Sequence, residues 1–300
     1  MKMQNYLIAG LLILSASLHA ADSDGGYAGA FLRMGAGSQA ASLGNAFTAM
    51  TNDASACYWN PAALAKLERG QLTASLALMT LDRSYHFAAL GIPLGKMGAL
   101  GAGWLQYGVD EIDGRDEFGQ KTGDFSDSET AIFLSYAFQL SSNFSIGASG
   151  KVLRHSLANN HATGFSVDVG ARFQISPKLV LGVTAQDFNG KLKWDTQSEL
   201  EEDIPLNIRA GAAISPLELP LTIALEAEKN SEQEIKFHAG AQFWILQKLG
   251  LRLGVNDGQL TFGGGINLPL STLQLQADYA YLNDVFEEGT IHQLGFVIGF

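Results

Sequence analysis

Six histidines, one cysteine and two dense groups of carboxylates are the side chains of this chain with the most reactive chemistry. His19 falls in the N-terminal leader. The other five, His86, His155, His161, His238 and His292, stand in no GxSxG, HExxH or comparable frame and at no metal-ligand spacing. His155 and His161 flank one hairpin tip and read as polar loop residues. Cys57 has no partner for an intramolecular disulfide and does not directly follow the leader as a lipoprotein cysteine would, so it reads as a small buried residue. One acidic stretch holds Asp110, Glu111, Asp113, Asp116, Glu117, Asp124 and Asp127, and a second holds Asp195, Glu199, Glu201, Glu202 and Asp203. Hard cations want several carboxylates, but no EF-hand spacing is present, so both read as solvated loops whose anionic rim suits lipopolysaccharide-bridging cations. Gly263 to Gly265 are followed by no helix and no GK[ST], which excludes a phosphate loop. Glycine there permits bending of a sheet or close approach of another backbone. No catalytic residue, cofactor or metal ligand is expected.

The elements that position these residues begin after a secretory leader. Lys2 precedes an apolar run, Tyr6 to Leu14, and a small-residue stretch, Ser15 to Ala21, which is the layout of a cleaved signal peptide over residues 1–20. That run is too short to cross a bilayer as a helix. The net charge of −11 argues against nucleic acid, whose phosphates need clustered Lys and Arg.

From Gln71 onward apolar residues alternate with small or polar ones, the period of a strand. Between Thr272 and Tyr281, Leu273, Leu275, Ala277, Tyr279 and Tyr281 share one face, and Gln274, Gln276, Asp278 and Ala280 the other. Fourteen such segments are predicted, near 71–80, 85–93, 97–107, 129–139, 143–155, 162–174, 178–188, 206–214, 220–229, 235–245, 249–255, 258–268, 271–282 and 289–300. Most approach the ~9–11 residues that a tilted strand needs to cross a bilayer. Their connections alternate between a short series carrying the prolines and a longer acidic one, as up-and-down pairing across a membrane demands. The long series includes loops over 108–128 and 188–205.

A soluble β-sandwich would also alternate, but its polar face would meet bulk water and carry many charges. Here that face holds Gly, Ser, Thr, Asn and Gln with scattered charges, Lys151, Asp168, Arg172, Arg209, Glu226, Glu228, Lys236, Arg252 and Asp278, which are expected to line a lumen. The expected fold is all-β: a 14-stranded antiparallel transmembrane β-barrel over 71–300, in the outer membrane, with both ends periplasmic.

Residues 25–67, within a segment taken over 21–70, do not alternate. They are rich in Gly and Ala, and short helical turns are predicted over Ser42 to Met50 and after Asn60-Pro61, with Asn as N-cap and Pro at N1. Such pieces are too short to fold alone. A fourteen-strand lumen is too wide for wall side chains to fill, since about 8 strands already suffice for a filled interior. The segment therefore reads as a plug inside the barrel, held or hinged by Arg33, Asp53, Asn60 and Pro61, with Arg33 or Asp53 paired to wall charges such as Asp278 or Arg209.

The stretches "FLRMGAGSQAASLGNAFTAMTNDASACYWNPAAL" and "DGRDEFGQKTGDFSDSETAIFLSYAFQLSSNFSIGASGKVL" resemble the PorV/PorQ family, within the wider FadL-like group of outer-membrane proteins. Asn60-Pro61-Ala62 matches the "NPA" of the FadL hatch. The resemblance implies a fourteen-strand barrel with an N-terminal hatch. It implies either gated passage of small hydrophobic or amphipathic molecules, or a type IX secretion accessory that binds secreted protein cargo. The sequence lacks the strongly apolar plug stretch that a fatty-acid pocket would need. Gln293, Gly295, Ile298 and Phe300 resemble the C-terminal signal read by the barrel-assembly machinery, and the last strand is expected to pair with the first.

Overall fold

The computed structural model describes residues 26–216, 219–270, 272–284 and 289–300. The expected leader lies outside the described residues. In chain order the strands are β1 (Gln71–Leu78), β2 (Arg83–Pro93), β3 (Ala99–Arg115), β4 (Lys121–Ser141), β5 (Phe144–Leu157), β6 (Asn160–Ser176), β7 (Leu179–Trp194) and β8 (Glu201–Asp203). They continue with β9 (Asn207–Ile214), β10 (Leu221–Asn230), β11 (Ile235–Ile245), β12 (Leu249–Asn256), β13 (Gln259–Pro269), β14 (Gln274–Asn283) and β15 (Thr290–Gly299).

Apart from β8, each strand pairs antiparallel with the next along the chain, β7 passing directly to β9, and β15 returns to β1 in the register Gln71↔Gly299 to Leu78↔His292. The result is a closed 14-stranded barrel, with β8 an added short strand paired only to β7. Closure leaves no edge strand to be satisfied in lipid.

The period of two sorts the side chains. On β4, Ile132, Leu134, Tyr136 and Phe138 face outward and are exposed, Leu134 by 69%, while Ala131, Phe133, Ser135 and Ala137 are buried inside. The same outward apolar row appears as Leu251 and Leu253 on β12 and as Leu294 and Phe296 on β15. Such a contiguous belt is what acyl chains cover.

Two differences from the sequence reading have one cause. The stretch 108–128 is not a loop, because β3 and β4 continue as a paired ladder to Arg115↔Lys121. Within 188–205, β7 runs on to Trp194 and pairs with β8. Beyond the membrane both faces of a strand meet water, so the alternation that marks a strand fades although the ladder persists. The predicted helix over Ser42 to Met50 is also displaced. The helical turn is Ser38–Ser42, and Gly44 and Asn45 stop it at φ 65° and 62°, in the left-handed region.

Candidate functional site: the filled lumen

Residues 36–64 are almost entirely buried, yet their helical pieces are only four to six residues long. The wall does the burying. Ser38–Ser42 packs against β12 to β15, whereas Pro61–Lys66 packs against β2 to β6, so the segment spans the inside of the barrel.

One half of this interior is apolar. Tyr58 and Trp59, on the helical turn Ala56–Trp59, meet edge to face at 4.9 Å, and Trp59 meets Phe47 at 5.9 Å. Tyr58 then reaches Phe87 of β2 and Phe133 of β4 at 6.2 and 6.3 Å. The polar ends of both rings are satisfied within the segment: Tyr58 Oη donates to the Leu32 carbonyl at 2.7 Å, and Trp59 Nε1 donates to that of Ala36 at 2.7 Å.

The other half is ionic. Lys151 of β5 lies 2.7 Å from Asp168 of β6 and pairs also with Asp187 of β7, which in turn holds Arg33 of the segment. Arg209 of β9 bonds Glu226 at 2.5 Å and Glu228 at 2.7 Å, both on β10, and donates from Nη2 to the Asn45 carbonyl at 2.9 Å. Its guanidinium also lies 4.8 Å from the Trp59 ring centroid. Glu226 accepts Thr48 N and Oγ1 at 2.8 and 2.9 Å, so one carboxylate joins wall to segment. His238 of β11 bridges Glu228 and the Gly44 carbonyl, each at 3.1 Å. Arg252 of β12 bonds Asp278 of β14 at 2.6 Å and Gln242 of β11 at 2.7 Å. Charges so deeply removed from water persist only when paired and hydrogen-bonded.

Asn60 is fully buried and joins three elements. Its Oδ1 accepts Ala62 N at 3.1 Å, capping the turn Pro61–Lys66 that Pro61 begins. Its Nδ2 donates to the carbonyls of Thr48 and of Ala171 on β6, each at 3.1 Å. Replacing Asn60 with Ala removes the cap and leaves the buried Thr48 carbonyl and the part-buried Ala171 carbonyl without this donor, for an expected loss of about 1–3 kcal/mol in chemical unfolding of the detergent-folded protein.

Glycines make this closeness possible. A methyl group at Gly147 of β5 would stand 2.5 Å from the Pro61 carbonyl carbon, and one at Gly182 of β7 would stand 2.6 Å from the Thr48 carbonyl oxygen. On the far side, Gly240 of β11 would meet the Leu43 carbonyl at 2.5 Å. Gly263 and Gly295 similarly abut Ser42 and Ser38. Backbone thus rests on backbone around the wall.

Of the charges expected to line the lumen, Lys151, Asp168, Arg209, Glu226, Glu228, Arg252 and Asp278 are buried in these networks. Arg172 and Lys236 share the inward parity but are half-buried nearer the two rims. Arg33 pairs with Asp187, not with Asp278. Asp53 forms no ion pair with Arg209; it accepts Ser55 N at 2.8 Å and Oγ at 2.5 Å, while burial raises its pKa above the ordinary carboxylate value. Asp187 escaped sequence reasoning because a bulge breaks the parity: the β6–β7 register shifts between Val167↔Phe188 and Val169↔Ala185, with Asp187 at φ 60°. His238 was legible, since it keeps the inward parity of Lys236 and Gln242 on β11.

A cavity of about 250 Å³ opens beside the segment at the rim of the short turns, lined by Gln39, Asn52, Asp53, Lys66, Arg69, Gln274 and Gln276 among others. Its walls are mainly polar, with Leu67 and Val297 among them.

Comparison with solved structures identifies the barrel fold. The toluene transporter TodX of Pseudomonas putida superposes with a TM-score of 0.60 at 13% identity, covering 88% of this chain and 97% of that one. The barrel has the fold of the TodX channel. The monoaromatic hydrocarbon channel CymD gives a TM-score of 0.58 at 13% identity over 89% of this chain and 98% of its own. A Pseudomonas aeruginosa FadL homologue gives 0.56 at 14% identity over 88% and 97%. No protein-family model and no curated protein matches the sequence. The likeness is thus one of fold, across a wide divergence of sequence.

Proposed function

We propose that this chain is an outer-membrane channel for small hydrophobic or amphipathic molecules, closed at rest by residues 26–70, which act as a plug and shift to open a route. The observation that carries this reading is how the segment is held inside a TodX-like barrel. Ion pairs, hydrogen bonds and glycine contacts join it to the wall, and among the described residues no strand ladder or disulfide does. A segment fastened this way is released by repacking rather than by unfolding the barrel. TodX is a toluene transporter and CymD a monoaromatic hydrocarbon channel, which supports a transport reading. The polar cavity at the short-turn rim favours amphipathic cargo over a bare hydrocarbon. Uptake of labelled amphipathic compounds into proteoliposomes tests the reading, and uptake no faster than into empty vesicles would sink it.

In this orientation the short turns and both barrel ends face the periplasm, and the long hairpins face outward beside lipopolysaccharide. Phe300 then completes the sequence that the barrel-assembly machinery reads. Deleting Phe300 is expected to lower the amount of heat-modifiable barrel in the outer membrane while export past the inner membrane continues. Unchanged outer-membrane yield would refute that role.

The filled lumen also favours a second reading, in which the barrel is a type IX secretion accessory of the PorV/PorQ kind that binds secreted proteins on its acidic outer hairpins. Loss of secreted proteins from a deletion strain, with uptake unchanged, would favour it over the channel.

A further inference from the structure

We infer that Asp127, Glu129 and His155 form a binding site for a divalent transition-metal ion of the zinc type at the mouth of the barrel. Asp127 and Glu129 are two residues apart on β4 and so share a face, and Glu129 stands opposite His155 in the β4–β5 ladder. Both carboxylates keep the inward parity of Ala131 and Phe133, and His155 that of Lys151 and Leu153. The sheet therefore delivers three ligands to one point from rigid elements. His155 Nε2 lies 2.7 Å from Asp127 Oδ1, and Nδ1 lies 4.0 Å from Glu129 Oε2. One donor atom from each residue falls within 4.8 Å of the others. An ion bound at about 2.0–2.2 Å from nitrogen and oxygen ligands needs only small side-chain rotations to reach all three.

Charge and surroundings point the same way. The side chains are 22%, 14% and 17% exposed, and among the described residues no Lys or Arg forms an ion pair with either carboxylate. Two half-buried carboxylates thus share one imidazole, whereas the buried wall acids Asp168, Asp187, Glu226, Glu228 and Asp278 deeper in the lumen are each matched by Lys or Arg. Across the gap, the Trp194 ring lies 4.8 Å from the His155 ring, and Trp194 Nε1 donates to Glu202 Oε2 of β8 at 2.7 Å. This arm carries a further carboxylate and screens one side of the triad from solvent. An imidazole with carboxylates suits zinc and its neighbours better than calcium or magnesium, which take oxygen ligands alone. Sequence spacing conceals the site because His155 lies a full hairpin beyond Glu129, and only the ladder makes them neighbours.

Tag-free full-length protein folded in detergent, titrated with Zn²⁺ by calorimetry and with Co²⁺ by visible absorption, tests the assignment. One equivalent of Zn²⁺ should bind, and Co²⁺ should give a ligand-field band. His155→Gln and Glu129→Gln should each weaken binding at least tenfold and abolish the band, with heat-modifiable migration retained as the measure of folding. Either folded variant suffices. Wild-type binding no tighter than that of the folded variants, or a stoichiometric site that prefers Ca²⁺ to Zn²⁺, would overturn the assignment.

Discussion

Replacing Arg209 with methionine will destabilise the folded protein by about 3–5 kcal/mol and loosen residues 43–48 from the wall. The size follows from what the substitution leaves behind. Glu226 and Glu228 are 5% and 7% exposed and draw their nearest positive charge from this one guanidinium. With Arg209 gone, His238 still serves Glu228 and Thr48 still serves Glu226, but the pair of buried carboxylates loses its neutralising charge. The Asn45 carbonyl loses its donor as well, and Trp59 loses the cation over its ring. Chemical unfolding of the detergent-folded protein reads the loss, and limited proteolysis of the folded barrel reads the loosening. Adding Glu226→Gln and Glu228→Gln to Arg209→Met removes the unpaired charge and should recover most of the stability while the segment stays loose. If Arg209→Met alone unfolds at the wild-type denaturant concentration, the ionic anchoring is wrong.

Gly147→Ala will push the segment out of its seat without breaking the wall. The added methyl meets Pro61 and Ala62 backbone atoms at 2.5–2.7 Å, and no side-chain rotation relieves a clash with backbone. Overpacking of this kind costs about 1–3 kcal/mol. Alanine itself is well tolerated in a strand, so the barrel ladder should survive. The displaced turn Pro61–Lys66 should open a leak, measured as ion conductance in planar bilayers and as sensitivity to large antibiotics that the intact outer membrane excludes. Gly150→Ala on the same strand is the control, because its methyl would approach nothing closer than 3.8 Å, to the Phe165 ring. Equal conductance in the two variants would show that close seating does not seal the lumen.

The barrel was legible in the sequence because lipid and lumen impose opposite demands on alternate residues, and β14 and β15 show that in their plain alternation. The inner segment was legible only as a misfit: a non-alternating, small-residue stretch with no means of folding alone. Asn60 and Pro61 announced a turn through local capping chemistry, which needs no partner beyond residue 62. Arg33 gave no such clue. Its partner Asp187 lies 154 residues away and turns inward through a bulge that strict alternation cannot register. The wall glycines were in plain view at inward positions, yet their purpose depends on what they face. Gly147 is a weak strand residue until Pro61 is placed against it. The extended hairpins were hidden for the opposite reason, since a ladder in water on both sides carries no hydrophobic signature.

The central claim is that the segment must move for molecules to pass, and locking it in place tests this most directly. Cys57 in the segment is tied to β4 through Ser149, whose hydroxyl donates to the Cys57 carbonyl at 3.2 Å and lies 2.7 Å from Ser135 Oγ, so Ser135→Cys places a second thiol in its neighbourhood. Burial pushes the Cys57 thiol up to about 12, so the bond is to be formed during oxidative refolding, before the site closes. Uptake of a labelled amphipathic compound is then compared between proteoliposomes of the cross-linked Ser135→Cys protein and of Ser135→Ala. The account predicts rapid uptake by Ser135→Ala and uptake at the empty-vesicle rate by the cross-linked protein. Equal uptake by both would contradict it, because a segment that need not move is not the gate.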